Sequence, residues 1–229
     1  MSQVYKIQAA KAALELVQDG MTLGLGSGST AEEFVKVLAP VVAGGLSVTG
    51  VPTSIRTGEL ASSLGISIST LDKHPQLDLT VDGADELDGQ LRLIKGGGAA
   101  HLREKIVANA SKQMAVIADH TKQVETLGQF ALPLEVLEFG FTSTKNAIEQ
   151  LCADEFDLTG DLTLRMRDGK PVKTDNGNVV LDASFGRIPD PEGLAKQLSQ
   201  IPGLVEHGLF IDIADIAYVA GPDGVTTLR

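Results

Sequence analysis

The chain has 229 residues, a net charge of −11 and a single cysteine, a size that buries enough surface to fold without disulfides, as one large domain or as a larger and a smaller one. The acidic balance repels nucleic acid and anionic membranes, and the lack of tryptophan with only two tyrosines leaves no platform for base stacking. The lone Cys152 excludes an intramolecular disulfide and any site needing two thiolates, and no apolar run approaches the ~20 residues that span a bilayer, so a cytoplasmic protein without signal peptide or anchor is expected.

From Val4 to Val17 the apolar positions Ile7, Ala10, Ala13, Leu14 and Val17 follow helical spacing, and Asp19-Gly20 ends the segment. Met21 to Leu25 reads as a short strand. Gly24-Leu-Gly26-Ser27-Gly28-Ser29-Thr30 follows it and runs into a helix over Ala31 to Leu38. A strand, a Gly/Ser/Thr loop and a helix start make an anion site, because free N–H groups and the helix dipole point to one place. No Gly-Lys-Ser/Thr follows, and the dinucleotide glycine spacing is missing, so the loop is neither a P-loop nor a Rossmann fingerprint. A capped helix after a flexible turn is the structural alternative.

Next come a strand around Leu46 to Val51, a turn at Pro52-Thr53-Ser54, a helix from Ile55 to Leu64 and a strand over Ile66 to Leu71. Strands alternating with helices argue for a parallel sheet with ligand loops at its carboxyl ends. Leu77, Leu79 and Val81 alternate as another strand, so that Asp82 and Asp85 are expected where it ends. After a turn at Asp88-Gly89 comes Lys95 with three glycines, Gly96, Gly97 and Gly98, a run costly in conformational entropy that makes sense where backbone lies close to a ligand or takes positive φ. A helix carrying Glu104 then runs to about Ala110. Met114 to Ala118 is an apolar strand, and the polar loop Asp119-His120-Thr121-Lys122 brings Lys122 to the same end of the sheet.

Beyond Gly128 the pattern changes. Leu132 to Val136 reads as a strand, Thr144 to Leu151 as a helix, Leu162 to Arg167 as a strand, Asp175-Asn176-Gly177-Asn178 as a hairpin turn before Val179-Val180-Leu181, Pro191 to Ile201 as a helix, and Leu204 to Phe210 as a last strand. That order is a small split βαβ sandwich. Ile213 to Val219 would then rejoin the first sheet. The expected architecture is α/β: a large domain of residues 1–128 and 206–229 with a mostly parallel sheet flanked by helices, and an inserted α+β domain of residues 129–205. The insertion carries none of the polar strand-end loops, so it is expected to serve assembly rather than chemistry.

The runs Gly24 to Thr30, Val51-Pro-Thr-Ser54, Val81-Asp-Gly-Ala-Asp-Glu86, Lys95-Gly-Gly-Gly-Ala-Ala100, Arg103-Glu-Lys105, Ala118-Asp119 with Lys122, Thr174-Asp-Asn-Gly-Asn178 and Ile201 to Phe210 make the chain, along nearly its whole length, resemble the ribose-5-phosphate isomerase A family. The resemblance implies the fold shared with glucosamine-6-phosphate isomerases and CoA transferases. It implies a cofactor-free, homodimeric or homotetrameric enzyme that interconverts D-ribose 5-phosphate and D-ribulose 5-phosphate through a cis-enediolate in the non-oxidative pentose phosphate pathway. It also implies roles: Glu104 as proton acceptor, Lys95 at the enediolate oxygen with the Gly96 to Gly98 amides, Asp82 and Asp85 on sugar hydroxyls and ring opening with Gly83 and Ala84 beside them, and Ser27, Gly28, Ser29, Thr30, Lys122 and Lys6 at the phosphate end. No metal is expected.

The chemistry asks for these residue types. Moving a proton between C2 and C1 needs a carboxylate base, a cation or donors at the developing oxyanion, and exclusion of water. Two other classes are weighed against it. A sugar-phosphate-sensing repressor would carry a basic helix-turn-helix ahead of the fold, where only about 20 residues precede the first strand on this helix-and-strand reading. A CoA transferase would use a glutamate as nucleophile, which acyl-CoA with hydroxylamine would reveal.

Overall fold

The computed structural model describes residues 3–229. In chain order, α1 (Gln3–Leu14) leads into β1 (Thr22–Leu25), α2 (Gly28–Ala43), β2 (Thr49–Pro52), α3 (Ile55–Ser63), β3 (Ser67–Ile68) and β4 (Leu79–Gly83). Two short strands, β5 (Glu86–Leu87) and β6 (Leu93–Ile94), precede α4 (His101–Asn109) and β7 (Met114–Asp119). Then follow β8 (Leu132–Val136), α5 (Phe141–Phe156), β9 (Asp161–Leu164), the hairpin of β10 (Met166–Arg167) and β11 (Lys170–Pro171), β12 (Val179–Ser184), α6 (Pro191–Leu198) and β13 (Leu204–His207). The chain ends with β14 (Leu209–Phe210), β15 (Ile216–Gly221) and β16 (Gly224–Leu228).

The main sheet has seven strands in the order β16-β15-β7-β4-β1-β2-β3, all parallel except the edge strand β16. Its central strands β4 and β7 are buried along their whole length because both faces are covered, and β7 is apolar from Met114 to Ala118. On β7, Ala115 and Ile117 pack with Leu23, Leu25, Leu79 and Val81 against Ala9, Ala10 and Ala13 of α1 and Phe34, Val35 and Leu38 of α2. Met114, Val116 and Ala118 face the other way, onto Leu87, Leu93 and Phe210. Burial of each large side chain in these layers contributes about 1.5–3 kcal/mol. From β1 the chain winds outward through β2 and β3, then returns to place β4 on the opposite side of β1. The β1/β4 seam is therefore the point where strand order reverses, and a crevice opens there at the carboxyl ends.

The four strands β13-β8-β12-β9 form a separate antiparallel sheet. Numbered within that sheet by chain order they read 4-1-3-2, the split βαβ arrangement the sequence leads one to expect, with Ile148 and Cys152 of α5 and Leu194 and Leu198 of α6 sealing its core. Among the elements that differ from the expectation, three bear on the site or its flanks. Leu204 to Phe210 is not one strand: it breaks at Gly208, where a Cβ would lie 2.3 Å from the Lys95 carbonyl oxygen, and β14 joins β6 and β5 in a third sheet. Helix α2 starts at Gly28 rather than Ala31 and α5 at Phe141 rather than Thr144. Strand β4 runs through Asp82, which is consequently inside the sheet instead of beyond its end.

Candidate active site

Four chain segments meet at the β1/β4 seam. The loop after β1 supplies Ser27, Gly28, Ser29 and Thr30, the end of β4 supplies Gly83, Ala84 and Asp85, the turn after β6 supplies Lys95 to Gly98, and α4 supplies Glu104; together with Lys122 from the 3-10 turn after β7 they line a single cleft. Helix α2 opens into it with its first N–H groups uncapped. Ser27 occupies the N-cap position, but its hydroxyl hydrogen-bonds Thr53 Oγ1 at 2.6 Å rather than the helix, which leaves those donors to an anion.

The floor of the cleft is a buried charge cluster. The Lys95 ammonium donates to the Gly83 carbonyl at 2.6 Å, lies 3.0 Å from Asp82 Oδ2 and 3.4 Å from Glu104 Oε2, and sits 5.5 Å from the centroid of the Phe210 ring. Asp82 Oδ1 accepts the backbone N–H of Ser27 at 3.1 Å and of Gly83 at 2.7 Å. Position 26 must be glycine here, since a Cβ would stand 2.1 Å from Asp82 Oδ1. Burial pulls the Lys95 pKa down, but the charges of Asp82 and Glu104 outweigh it and hold the ammonium above its ordinary range. Burial pushes Glu104 up to about 8, with Lys95 opposing and Asp82 and Asp85 reinforcing the rise. A cation that stays charged thus faces a carboxylate that is basic near neutrality.

The glycine loop wraps this cluster. Asp85 Oδ2 accepts the Gly97 N–H at 2.7 Å, and a Cβ at Gly97 would lie 2.6 Å from Asp85 Oδ1. Gly96 takes φ +109° and Ala99, without a glycine's freedom, takes φ +61°, a left-handed conformation costing roughly 1–2 kcal/mol that the surrounding contacts must sustain. Positive φ and close backbone approach are the two uses of glycine that the Lys-Gly-Gly-Gly run suggests.

Two expected contact residues are placed differently. Asp82 is fully buried beneath Lys95 and absent from the cleft wall, so it faces the ammonium and two peptide N–H groups instead of a sugar hydroxyl. The reason is that β4 continues through Asp82 and Gly83, which draws Asp82 into the sheet. Lys6 also lies behind the wall: α1 packs it against the loop, where its Nζ donates to Ser29 Oγ at 2.7 Å. The other expected residues all line the cleft.

The site also rests on supporting residues outside the expected set. Thr53 and Thr57 hold the first loop, Thr57 Oγ1 donating to the Gly26 carbonyl at 3.0 Å. From the small sheet, Arg165 donates to the Gly96 and Gly97 carbonyls at 2.8 and 3.1 Å. Val51-Pro-Thr-Ser54 was itself a visible motif, but nothing local marks Arg165. His101 is buried behind the glycine loop with Nε2 3.3 Å from the Glu206 carbonyl oxygen; burial and then Lys105 hold its pKa down at about 3, so it is neutral. His120 meets Tyr5 edge to face at 5.4 Å between ring centroids. The whole arrangement suits removal of a proton from a carbon next to a carbonyl, with an ammonium and peptide N–H groups at the resulting oxyanion and an anion-binding helix start at the far end.

The family model of ribose 5-phosphate isomerase A (phosphoriboisomerase A) matches residues 49–224. The chain is 59% identical over 224 residues to ribose-5-phosphate isomerase A of Sinorhizobium medicae (strain WSM419), covering 98% of this chain and 96% of that one. Its fold superposes on the ribose 5-phosphate isomerase A of Methanocaldococcus jannaschii with a TM-score of 0.91 at 38% identity, over 100% of both chains. It superposes equally, with a TM-score of 0.91 at 41% identity and 100% of both chains, on a D-ribose-5-phosphate isomerase in complex with phospho-erythronic acid.

Proposed function

The chain belongs to the ribose 5-phosphate isomerase A family and interconverts ribose 5-phosphate and ribulose 5-phosphate, and we propose that Glu104 is the group that carries the proton between C2 and C1. The observation that carries this reading is the pairing of Glu104, basic near pH 8 through burial, with the permanently charged Lys95 3.4 Å away. Asp85 holds the sugar hydroxyls and assists ring opening, since it is the aspartate on the cleft wall. Glu104 takes the C2 proton of the open chain, the hydroxyl proton passes from O2 to O1, and Glu104 returns its proton to C1. As negative charge builds on the substrate oxygen, Lys95 and the Gly96 and Gly98 amides stabilise it, a preorganised term of the kind that dominates many enzymes, while the Gly97 amide holds Asp85. Asp82 acts through Lys95, fixing its position and charge. Ser27 to Thr30 and Lys122 bind the phosphate at the start of α2, and Lys6 supports them through Ser29.

An ammonium with peptide donors is a complete electrophile for this step, so the reaction in the pentose phosphate pathway needs no metal or cofactor. A coupled assay of ketose formation from ribose 5-phosphate after exhaustive dialysis against EDTA tests it: turnover persists, whereas loss restored by a divalent ion would remove Lys95 from its role. Phospho-erythronic acid, the ligand of the related enzyme, should bind here too, its carboxylate standing in for the charged end of the enediolate. We place the protein in the cytoplasm as a homodimer or homotetramer and divide it near residues 129 and 205. These assignments rest on the family resemblance, the charge pattern and the two sheets, and light scattering with limited proteolysis checks them.

A further inference from the structure

We propose that Arg165 is a positioning residue for the oxyanion-binding loop: from the small sheet, its guanidinium fixes the peptide planes of the Gly96–Gly97 and Gly97–Gly98 units so that their N–H groups face the cleft. The inference rests on the site reading given above and adds a residue to it from a part of the chain that bears no cleft-lining side chain.

Arg165 joins β9 to β10, and its own backbone is held on both sides, its N–H donating to the Val180 carbonyl at 2.8 Å and its carbonyl accepting from Val172 at 2.9 Å. One edge of the guanidinium is engaged by Asp182 of β12, with Nε donating to Oδ2 at 2.8 Å and Nη2 pairing with Oδ1. The remaining nitrogen, Nη1, is thereby aimed at the glycine loop and donates to both the Gly96 and the Gly97 carbonyls, at 2.8 and 3.1 Å.

In a trans peptide the C=O and the next N–H point in opposite directions. The first unit displays this directly: Gly96 C=O is on Arg165 and Gly97 N–H is on Asp85. The second unit obeys the same constraint, so anchoring Gly97 C=O on Arg165 turns the Gly98 N–H to the cleft side, where Gly98 forms part of the wall. Three successive glycines have no side chains to set these planes themselves, and Ala99 N–H to Gly96 C=O at 2.9 Å is the backbone bond closing the turn. A cation on the carbonyl ends also polarises both units and makes their N–H groups stronger donors. Lysine could not do this, having one point charge where the guanidinium offers a planar fork.

Arg165→Gln, Arg165→Lys and Asp182→Asn decide between positioning and a purely structural tie. For Arg165→Gln, kcat should fall roughly 10- to 100-fold with KM for ribose 5-phosphate within about threefold of wild type, a misaligned donor costing less than the ~10² to 10³ of a deleted one. Affinity for a hydroxamate that mimics the enediolate should fall by a similar factor, while affinity for inorganic phosphate stays within about threefold, because the helix start binds it. Asp182→Asn keeps the guanidinium but loosens the pair that aims it, so its kcat should fall less than that of Arg165→Gln, with KM again within about threefold of wild type. Arg165→Lys, which keeps charge and most of the volume if the glutamine variant fails to fold, should show the same kcat-against-KM split at about a tenfold loss. Unchanged kcat in a folded Arg165 variant overturns the proposal, as does parallel weakening of hydroxamate and phosphate, or a kcat loss in Asp182→Asn larger than that in Arg165→Gln. A wild-type enzyme inactive on ribose 5-phosphate would instead sink the site reading itself.

Discussion

Glu104 and Glu135 are both glutamates sealed from solvent, one beneath the strand-end cleft and one inside the small sheet, and they are held in opposite ways. Glu135 Oε1 accepts from Thr174 Oγ1 at 2.8 Å, Asn178 Nδ2 at 2.8 Å and Asn176 Nδ2 at 3.3 Å, so the Thr174-Asp-Asn-Gly-Asn178 turn closes over a carboxylate. The same turn reaches the large sheet: Asp175 Oδ2 accepts the Ile55 N–H at 2.8 Å, and Arg103 donates to the Asp175 carbonyl and Asn176 Oδ1, each at 3.0 Å. Glu104 has no such clasp. Its buried Oε2 faces the Lys95 ammonium at 3.4 Å, and the residue forms part of the cleft lining. Three neutral donors gathered on one oxygen of a buried carboxylate make a clamp; burial beside a single cation makes a base.

Glu104→Gln presses hardest on this contrast. It keeps the shape of the side chain and removes the basic lone pair, so kcat should fall by ~10² to 10⁴ while the protein stays folded. Binding of a phosphorylated aldonate should change little, since the start of α2 and Lys122 hold the phosphate. Solvent-deuterium incorporation into the product gives the direct reading. Near-normal exchange in the variant would transfer the base to Asp85.

Glu135→Ala should do the reverse. Removing the acceptor leaves Thr174, Asn176 and Asn178 facing each other without a partner, a loss of about 3 kcal/mol at ~1–3 kcal/mol per unsatisfied group. Thermal unfolding should show it as a drop of roughly 6–12 °C for a chain of this size, with kcat reduced less than tenfold. A large kcat loss at unchanged stability would mean that the turn serves the chemistry.

How much of this contrast could be read from residues alone depends on range. The alternation of Leu77, Leu79 and Val81 and the apolar run at Met114 identify the strands of the parallel sheet because burial on two faces leaves a local imprint. Glycine at 26, 96 and 97 marks close approach for the same reason. Gly224 to Leu228, by contrast, is an antiparallel edge strand with mostly exposed side chains, so it lacks an apolar signature and went unpredicted. The break at Gly208 is set by the Lys95 carbonyl, 113 positions away by the difference of the two numbers. Arg165 is hidden likewise, its partners Gly96, Gly97 and Asp182 lying on two other elements. Motif reading finds residues that touch a ligand; it misses those that hold the ligand's contacts in place.

The pH dependence of turnover sharpens the difference at a smaller scale. The acid limb of kcat/KM reports the free enzyme's base, which burial has raised to about 8 in Glu104. The rate constant should therefore climb about tenfold per pH unit below that value, whereas an ordinary carboxylate would give a plateau from about pH 5 upward. A flat profile between pH 6 and 8 would separate the proton transfer from Glu104.

The smallest expected effect is on stability, and its sign is the test. The folded-state pKa of Glu104, about 8, lies above its ordinary value of 4.5, so folding favours the protonated form. That contribution is complete below about pH 4.5 and is lost as pH rises through 8. Glutamine resembles the protonated form and does not titrate. The melting temperature of Glu104→Gln minus that of wild type should thus be steady in acid and grow more positive from pH 5 to pH 9, by on the order of 2–4 °C for each 1 kcal/mol released. His101 and His207, both held down near 3 mainly by burial, destabilise either protein as pH falls from 6.5 toward 3, and because both proteins carry them they cancel in the difference. Glu135→Gln, which replaces one carboxylate oxygen of the clasp by an amide NH2 among the Thr174, Asn176 and Asn178 donors, should melt below wild type at pH 9, where Glu104→Gln melts above it. If both variants were destabilised there, Glu104 would also be a clamp, and the enzyme would hold its base in place at no cost to the fold.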